Sequence, residues 1–233
     1  MHEVRSDNET RFDPLLRATD SVSVVGLDVG GVLLRSPWEL LSAAWPDVKR
    51  TAPSLLGPFS QGRDSLYAAV TRGVLSETEY WRRFSVSATR IVPMLKESAN
   101  PVRDLILASP SPIRMSLIEW IRGFVASNRY VITFSNGLYR NLGKNWWVAN
   151  IPQRLIHKHY DASETHIRKP DVRVFAPLTD FCRNFEKSTV VYVDDNPHYV
   201  SAARSVGVRG LWFCAANEGR SLRRLTSLFK TEW

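Results

Sequence analysis

The strongest constraint on this chain comes from three strand-like runs that each end in polar residues. VSVVGLD ends at Asp28, RYVITFS ends at Ser135, and STVVYVDD ends at Asp194 and Asp195. Apolar runs of this kind, rich in β-branched residues, are typical of parallel strands that are covered on both faces. A polar side chain at the end of such a run is costly to bury unless water, a partner or a metal ion satisfies it. The runs therefore predict a buried sheet with a polar edge.

Helical segments alternate with the strands, and this order predicts an α/β fold with a doubly wound parallel sheet. Two further strands are predicted in LIHKHYDAS and VRGLWFC. A helix is predicted to start near Pro170 and to be kinked or ended by Pro177. Asn196 and Pro197 signal the start of another helix. Because ligands bind beyond the carboxyl ends of the strands in such sheets, we expect the three polar strand ends to meet.

The chain is expected to divide into three parts. Residues 1–20 are polar and charged, which argues against a signal peptide and predicts a loose leader. Residues 36–109 have helical periodicity, several prolines and no strongly apolar strand, so we predict a helical cap inserted into the fold. Residues 21–35 and 110–233 would then form the core domain.

The net charge, the cysteines and the lack of a long apolar run each limit the class of protein and the ligands it can bind. The chain has 31 Lys and Arg against 23 Asp and Glu, a net charge of +8, which favours an anionic ligand. The basic residues are scattered and the densest group lies on an amphipathic C-terminal helix, which argues against nucleic acid. Cys182 and Cys214 lack metal-type spacing and are expected to be buried free thiols. No apolar run is long enough for a membrane span, so we expect a cytoplasmic protein without membrane contact. We expect a monomer or a homodimer.

The polar residues at the strand ends suggest a phosphate and metal site. Adjacent carboxylates at Asp194 and Asp195 repel each other, and a hard divalent cation would relieve that repulsion. Lys169, in HIRKPD, could neutralise phosphate, and Ser135 with Asn136 could hold phosphate oxygens. Each group also has a plainer interpretation when taken alone. A strand-end Asp or a Ser-Asn pair can cap a turn, an acid pair can begin a helix, and a lysine can lie on the surface.

In chain order, these elements resemble the motif series of the haloacid dehalogenase (HAD) superfamily over about residues 22–214. The series is strand-Asp, helical insertion, strand-Ser-Asn, Lys-Pro and strand-Asp-Asp. The chain looks most similar to the branch with a helical cap after the first strand, which includes bacterial glucose-1-phosphatases and the phosphatase domain of soluble epoxide hydrolases. The segments that carry this similarity are RGVLSETEYWRRF, FSNG, SETHIRKPDVRVF and VYVDDNPHYVSAARSVGV.

The resemblance implies a phosphomonoester hydrolase that acts on a small phosphorylated metabolite, such as a sugar phosphate. Asp28 would be the nucleophile and would form an aspartyl-phosphate, with Ser135 and Asn136 on the phosphoryl oxygens. Lys169 would neutralise Asp28 and the phosphate together.

The resemblance also implies a magnesium site in the same place. Asp28 and Asp195 would bind Mg²⁺ through their side chains and Gly30 through its backbone carbonyl. Asp194 would be either a further ligand or a residue that holds the ligands in place.

Gly30 departs from the family pattern, in which most phosphatases carry an acid–base Asp two residues after the nucleophile. Such a group contributes roughly 10²–10⁴-fold to rate. Three interpretations follow: activity survives through another proton donor or water, the enzyme favours good leaving groups, or hydrolysis is lost and the fold serves a binding or regulatory role. His198 is the histidine best placed to substitute, although a surface role is favoured for it.

Overall fold

A five-stranded, entirely parallel sheet forms the centre of the computed structural model, which describes residues 21–229. The strand order is β3-β2-β1-β4-β5, which confirms the doubly wound parallel sheet. The predicted leader, residues 1–20, lies outside the described residues. The strands are β1 (Ser21–Asp28), β2 (Tyr130–Ser135), β3 (Lys158–Asp161), β4 (Lys187–Asp194) and β5 (Arg209–Trp212).

Helices connect the strands on both faces of the sheet. In chain order the helices of the described residues are α1 (Pro37–Ala44), α2 (Val48–Thr51), α3 (Ser65–Thr71), α4 (Glu77–Ile91), α5 (Pro101–Ala108), α6 (Met115–Ala126), α7 (Leu138–Leu142), α8 (Lys144–Asn150), α9 (Ala162–Thr165), α10 (Ala176–Asn184), α11 (Pro197–Ser205) and α12 (Glu218–Leu228).

Alternate residues of β1 point into two different hydrophobic clusters. Val25 and Leu27 belong to a large cluster with α6, α12 and the helices that follow β1. Val22 and Val24 belong to a smaller cluster with α10 and α11. Because neighbouring side chains of a strand project to opposite faces, this division shows that both faces of the sheet are covered. The mainly apolar character of β1, β2 and β4 follows from that coverage.

Residues 37–108, as described, form helices and turns and contain no strand. Their buried aromatic residues, among them Trp38, Tyr80 and Phe84, pack in the same cluster as one face of the sheet. α1 begins with a capping box, in which the Ser36 hydroxyl accepts from the Glu39 amide and the Glu39 carboxylate accepts from the Ser36 amide. The division of the chain into a core and an inserted cap stays a prediction.

Two local expectations were wrong. The helix expected near Pro170 starts only at Ala176, after a 3₁₀ turn that Asp171 caps. Pro177 therefore lies in the first turn of α10, where its missing N–H costs no hydrogen bond, and it does not kink the helix. The cysteines are free, as predicted, but the expected burial was wrong, because Cys182 is exposed and Cys214 is only half-buried.

Other local signals were right. The Asn196 side chain caps α11 by accepting from the His198 amide, and Pro197 opens that helix. Gly207 follows the helix with φ +86°, a conformation that glycine adopts without strain. Within residues 21–229, no helix combines the length and apolar character that crossing a bilayer requires.

Candidate functional site

The sheet register brings the predicted polar residues to one edge. In β1, Asp28 lies opposite Phe134 of β2, and Leu27 lies opposite Val193 of β4. Ser135 and Asp194, the last residues of β2 and β4, therefore end beside Asp28. Since the three strands are parallel and neighbouring, their carboxyl ends form a single edge, as the sequence predicted.

Lys169 joins this edge from the loop between α9 and α10. Its Nζ donates to an oxygen of Asp28 and, over 3.0 Å, to Oδ2 of Asp194. All three side chains are buried. Burial alone would lower the pKa of Lys169, but the carboxylates of Asp194 and Asp28 outweigh it and raise that pKa above its ordinary value. The lysine is therefore charged, and it is shared between two carboxylates.

The three aspartates carry more negative charge than Lys169 balances. Burial raises the pKa of Asp28 well above its usual range, and the neighbouring Asp194 raises it further. Burial also raises the pKa of Asp195, and the carboxylates of Asp194 and Asp28 raise it further. Buried like charges disfavour ionisation unless a cation compensates them. The cluster therefore has a marked electrostatic preference for additional positive charge.

The chemistry of this donor set fits a hard divalent cation. One oxygen from each of Asp28, Asp194 and Asp195 lies within 4.8 Å of the other two. Oxygen atoms around Mg²⁺ lie at ~2.0–2.1 Å from the ion, so the ligands must be this close together. Carboxylate oxygens are also the ligands that this ion prefers.

Asp194 and Asp195 differ in how many bonds the protein already makes to them. Oδ2 of Asp194 accepts from Lys169 and from the Tyr192 hydroxyl, and Oδ1 accepts from the Asn196 amide at 2.8 Å. Asp195 instead lines a cavity together with Asp28 and Lys169. Asp194 is thus oriented by three donors, while Asp195 faces the space that a ligand would enter.

The loop after Asp28 is shaped around Asp195. Gly31 has φ +81°, and a Cβ at this position would lie only 2.0 Å from Oδ2 of Asp195. The buried guanidinium of Arg114 donates to the backbone carbonyls of Gly31 (3.2 Å) and Val32 (3.1 Å) and also binds Glu39. The neighbouring Gly30 lines the cavity and has room for a Cβ, with Leu138 at 3.6 Å. Arg114 was not identified from the sequence.

Ser135 and Asn136 differ in their freedom to bind a ligand. The Ser135 Oγ accepts from the Gly137 amide (3.1 Å) and the Leu138 amide (2.8 Å), which leaves its own proton to donate. The Asn136 amide clamps the backbone of Lys169, accepting from its N–H at 2.9 Å and donating to its carbonyl at 3.1 Å. Asn136 therefore fixes Lys169 in this structure, a role that the sequence did not reveal.

A cavity of about 810 Å³ opens onto these residues. One side is lined by the sheet edge, including Asp28, Ser135 and Lys169. The other side is lined by residues of the helices between positions 37 and 108, including Trp38 and Glu77. A volume of this size is typical of small-molecule sites, which run from roughly 300 to 1,000 Å³.

Solved structures resemble the chain over most of its length. A dehalogenase crystal structure has a TM-score of 0.55 and 16% identity and covers 84% of this chain and 86% of its own. The Bacillus subtilis protein YfnB, described as a HAD-hydrolase bound to magnesium, has a TM-score of 0.56 and 11% identity, with 83% and 87% covered. A hydrolase from Streptococcus pneumoniae has a TM-score of 0.51 and 18% identity, with 89% and 100% covered.

The chain has the haloacid dehalogenase fold. This confirms the fold expected from the order of the motifs. No protein-family model matches the sequence, and neither does any curated protein. The more specific resemblance to glucose-1-phosphatases stays a prediction.

One carboxylate of this site was not identified from the sequence. Glu77, the first residue of α4, lines the cavity together with the residues of the sheet edge. Its Oε2 accepts from the Asn136 amide at 2.8 Å and from the Tyr199 hydroxyl at 2.7 Å. In the sequence, Glu77 looks like an ordinary first-turn acid that complements the helix dipole, so no local signal distinguishes it. His198, considered from the sequence, is exposed and does not line the cavity.

Proposed function

We propose that this protein is a magnesium-dependent phosphatase acting on a small phosphorylated metabolite, such as a sugar phosphate, through an aspartyl-phosphate at Asp28. The observation that carries the proposal is the cluster of Asp28, Asp194 and Asp195 around Lys169, beside a cavity of metabolite size. The cluster has an excess of negative charge, and a divalent cation would compensate it.

The contacts of each side chain support a role in phosphoryl transfer. Asp28 would attack phosphorus and form the covalent intermediate. Lys169, held between two carboxylates, would neutralise charge on the nucleophile and on the phosphoryl oxygens. The Ser135 hydroxyl would donate its remaining proton to a phosphoryl oxygen. Asn136 would support the phosphoryl site, directly or through its clamp on Lys169.

The metal would be held by Asp28 and Asp195, with the Gly30 carbonyl as a further ligand. Asp194 is better suited to orient the site, because its oxygens already accept bonds from Lys169, Tyr192 and Asn196. Bound magnesium would supply electrostatic stabilisation of the charge that develops on the phosphoryl oxygens.

Two other functions are weighed against this one. A dehalogenase is among the similar structures, so attack of Asp28 on a carbon–halogen bond is the second candidate. That reaction would leave the three-carboxylate cluster without an evident purpose. The third candidate is a protein that binds a phosphorylated ligand without hydrolysing it. Glycine at position 30, where most phosphatases of the superfamily carry an acid–base Asp, motivates this candidate.

The deciding experiment measures product release from three substrate sets: p-nitrophenyl phosphate, a panel of sugar phosphates, and a panel of 2-haloacids. Each set is assayed with magnesium, with EDTA, and with the Asp28→Asn variant. Release of phosphate that requires both magnesium and Asp28 would support the phosphatase. The panel would then begin to identify the substrate.

Other outcomes would point elsewhere. Halide release that persists in EDTA would indicate a dehalogenase. Absence of turnover from folded protein that still binds magnesium would favour the binding role. Thermal unfolding with and without magnesium measures whether the ion binds, because a ligand at 100 times its Kd raises the free energy of unfolding by about 2.7 kcal/mol.

A further inference from the structure

Hydrolysis of a phosphoester at this site requires a group that moves protons. An alkoxide leaving group departs slowly unless it is protonated as its bond to phosphorus breaks, and the water that attacks the intermediate must lose a proton. The carboxylates of Asp28 and Asp195 are assigned to the nucleophile and the metal. Lys169 is bound to two carboxylates and is held in its charged form by them. The other side chains that line the cavity are therefore the candidates for proton transfer.

We infer that Glu77 is the catalytic acid and base of this site, an inference that rests on the proposed phosphatase function. The cavity-lining carboxylates of the described residues are Asp28, Asp195 and Glu77. Glu77 is therefore the carboxylate that remains once the nucleophile and the metal site have been assigned. Its side chain bonds to Asn136, which also contacts Lys169, so Glu77 lies near the reacting groups.

The hydrogen bonds of Glu77 orient it and leave one oxygen with spare capacity. Oε2 accepts from Asn136 and Tyr199 at 2.8 and 2.7 Å. Oε1 accepts a longer bond, 3.3 Å, from the indole of Trp81, which also lines the cavity. A carboxylate fixed through one oxygen can present the other to a substrate. The anchor is close to the chemistry, since Asn136 also clamps Lys169, the residue that binds Asp28.

Other protic groups of the cavity are less suited to this task. The hydroxyl of Tyr80 donates to Asp64, and that of Tyr199 donates to Glu77. Burial raises the pKa of Tyr67 above its ordinary value, and the negative charge of Asp195 raises it further. This phenol is therefore a weaker acid. His166 lines the cavity but is exposed, and it is the main alternative to Glu77 as the proton-transfer group.

The proposed reaction has two balanced steps. In the first, an oxygen of Asp28 bonds to phosphorus while the ester P–O bond breaks, and protonated Glu77 gives its proton to the departing oxygen. In the second, water attacks phosphorus and Glu77 takes a proton from it, while the bond between phosphorus and Asp28 breaks. The products are an alcohol and inorganic phosphate, and Asp28 and Glu77 return to their starting forms.

The test is stopped-flow kinetics of Glu77→Gln, which keeps an amide oxygen that can accept from Asn136 and Tyr199 but cannot carry the proton. With p-nitrophenyl phosphate, whose leaving group needs no proton, we expect a burst of one nitrophenolate per enzyme followed by slow turnover. With an alkyl phosphate that the wild type hydrolyses, we expect a loss of about 10²–10⁴-fold without a burst. The matched control is Glu79→Gln, in the same helix but outside the cavity lining. His166→Gln is assayed in parallel.

A second variant separates proton transfer from a structural effect. Gly30 has ordinary backbone φ and room for a side chain beside the cavity, so Gly30→Asp in the Glu77→Gln background should restore part of the lost rate. Equal slowing of both substrates without a burst or rescue, or a burst in His166→Gln instead, would overturn the role of Glu77. If the wild type shows no phosphate release that requires Asp28, both the proposed phosphatase function and this inference are overturned.

Discussion

Two buried aspartates of this protein, Asp64 among the helices and Asp28 at the sheet edge, have very different surroundings. Asp64 is 3% exposed and Asp28 is 7% exposed, so burial does not distinguish them. Asp64 accepts hydrogen bonds from the Tyr80 hydroxyl (2.9 Å) and from the amides of Gly57 (3.2 Å) and Tyr67 (2.9 Å). Tyr80 in turn accepts from the Trp38 indole at 2.8 Å. All of these donors are neutral parts of the protein.

At the sheet edge the arrangement is the opposite. Asp28 shares a single lysine with Asp194, and Asp195 adds a third carboxylate. A lone buried acid with a complete set of donors needs nothing more and contributes to the structure. A buried acid among other acids needs a cation from outside, and such perturbed groups concentrate at functional sites. The identity of the neighbours, rather than burial, separates the structural aspartate from the candidate catalytic one.

The largest effect expected from this contrast is on turnover in Asp28→Asn. Phosphate release should fall by at least about 10³-fold, because the amide cannot act as the nucleophile. The fold should persist, since the change removes one of three mutually repelling carboxylates. Steady-state assays and circular dichroism of the same preparation check both expectations. Activity within tenfold of the wild type would show that the cluster is structural after all.

Asp64→Ala should show the reverse pattern, with an effect on stability. The variant leaves the Tyr80 hydroxyl and the Gly57 and Tyr67 amides without their acceptor, which should lower the free energy of unfolding by about 3 kcal/mol. Urea denaturation measures this loss against Asp47→Ala, where the aspartate side chain is 66% exposed. The Kd for magnesium should not change. A large change in that Kd with little destabilisation would contradict the comparison.

Adjacent glycines allow a finer test of the sheet edge. Gly31→Ala places a Cβ 2.0 Å from Asp195 Oδ2 at a backbone φ of +81°, so we expect magnesium to bind about 10–100-fold more weakly. Gly30→Ala meets only Leu138 at 3.6 Å and should bind magnesium normally. Isothermal titration of the two variants makes the measurement. Equal affinities would mean that Asp195 is not a metal ligand.

The smallest effect concerns His159, a half-buried histidine whose ring lies beside the neutral Thr133 hydroxyl. Its Nδ1 is 2.7 Å from the Thr133 hydroxyl, and burial lowers its pKa to about 4 from an ordinary value of 6.5. Above pH 6.5 both the folded and the unfolded chain hold it neutral, so its contribution is fully present. Between pH 6.5 and about 4 only the unfolded chain takes up the proton, so stability should fall as the pH falls.

The size of this loss is on the order of 1–2 kcal/mol, since one pKa unit corresponds to about 1.36 kcal/mol and the ring is only partly buried. Thermal unfolding of the wild type and of His159→Gln across this pH range would measure it. The wild type should lose more stability than the variant. Parallel curves would show that His159 does not control this part of the pH dependence.

The sequence by itself determined the sheet and most of the residues at its edge. β-branched runs mark the strands, Asn196 and Pro197 mark the start of α11, and Gly207 marks its end. These signals are local, because strand periodicity, caps and turns depend on residues that are neighbours in the chain. The parallel arrangement then follows from the alternation of strands and helices, and with it the meeting of Asp28 and Ser135.

Only the tertiary structure decided which partners each polar group has. It paired Glu77 with Asn136 and Tyr199, made Asn136 a clamp on Lys169, and separated the surroundings of Asp194 from those of Asp195. The contacts of Glu77 and of Asn136 join residues that are at least 33 positions apart in the chain, and no spacing rule encodes them. An acid in the first turn of a helix has the same sequence pattern whether it faces water or a cavity. Only the folded chain shows that Glu77 lines the cavity, where its side chain bonds to Asn136 and Tyr199.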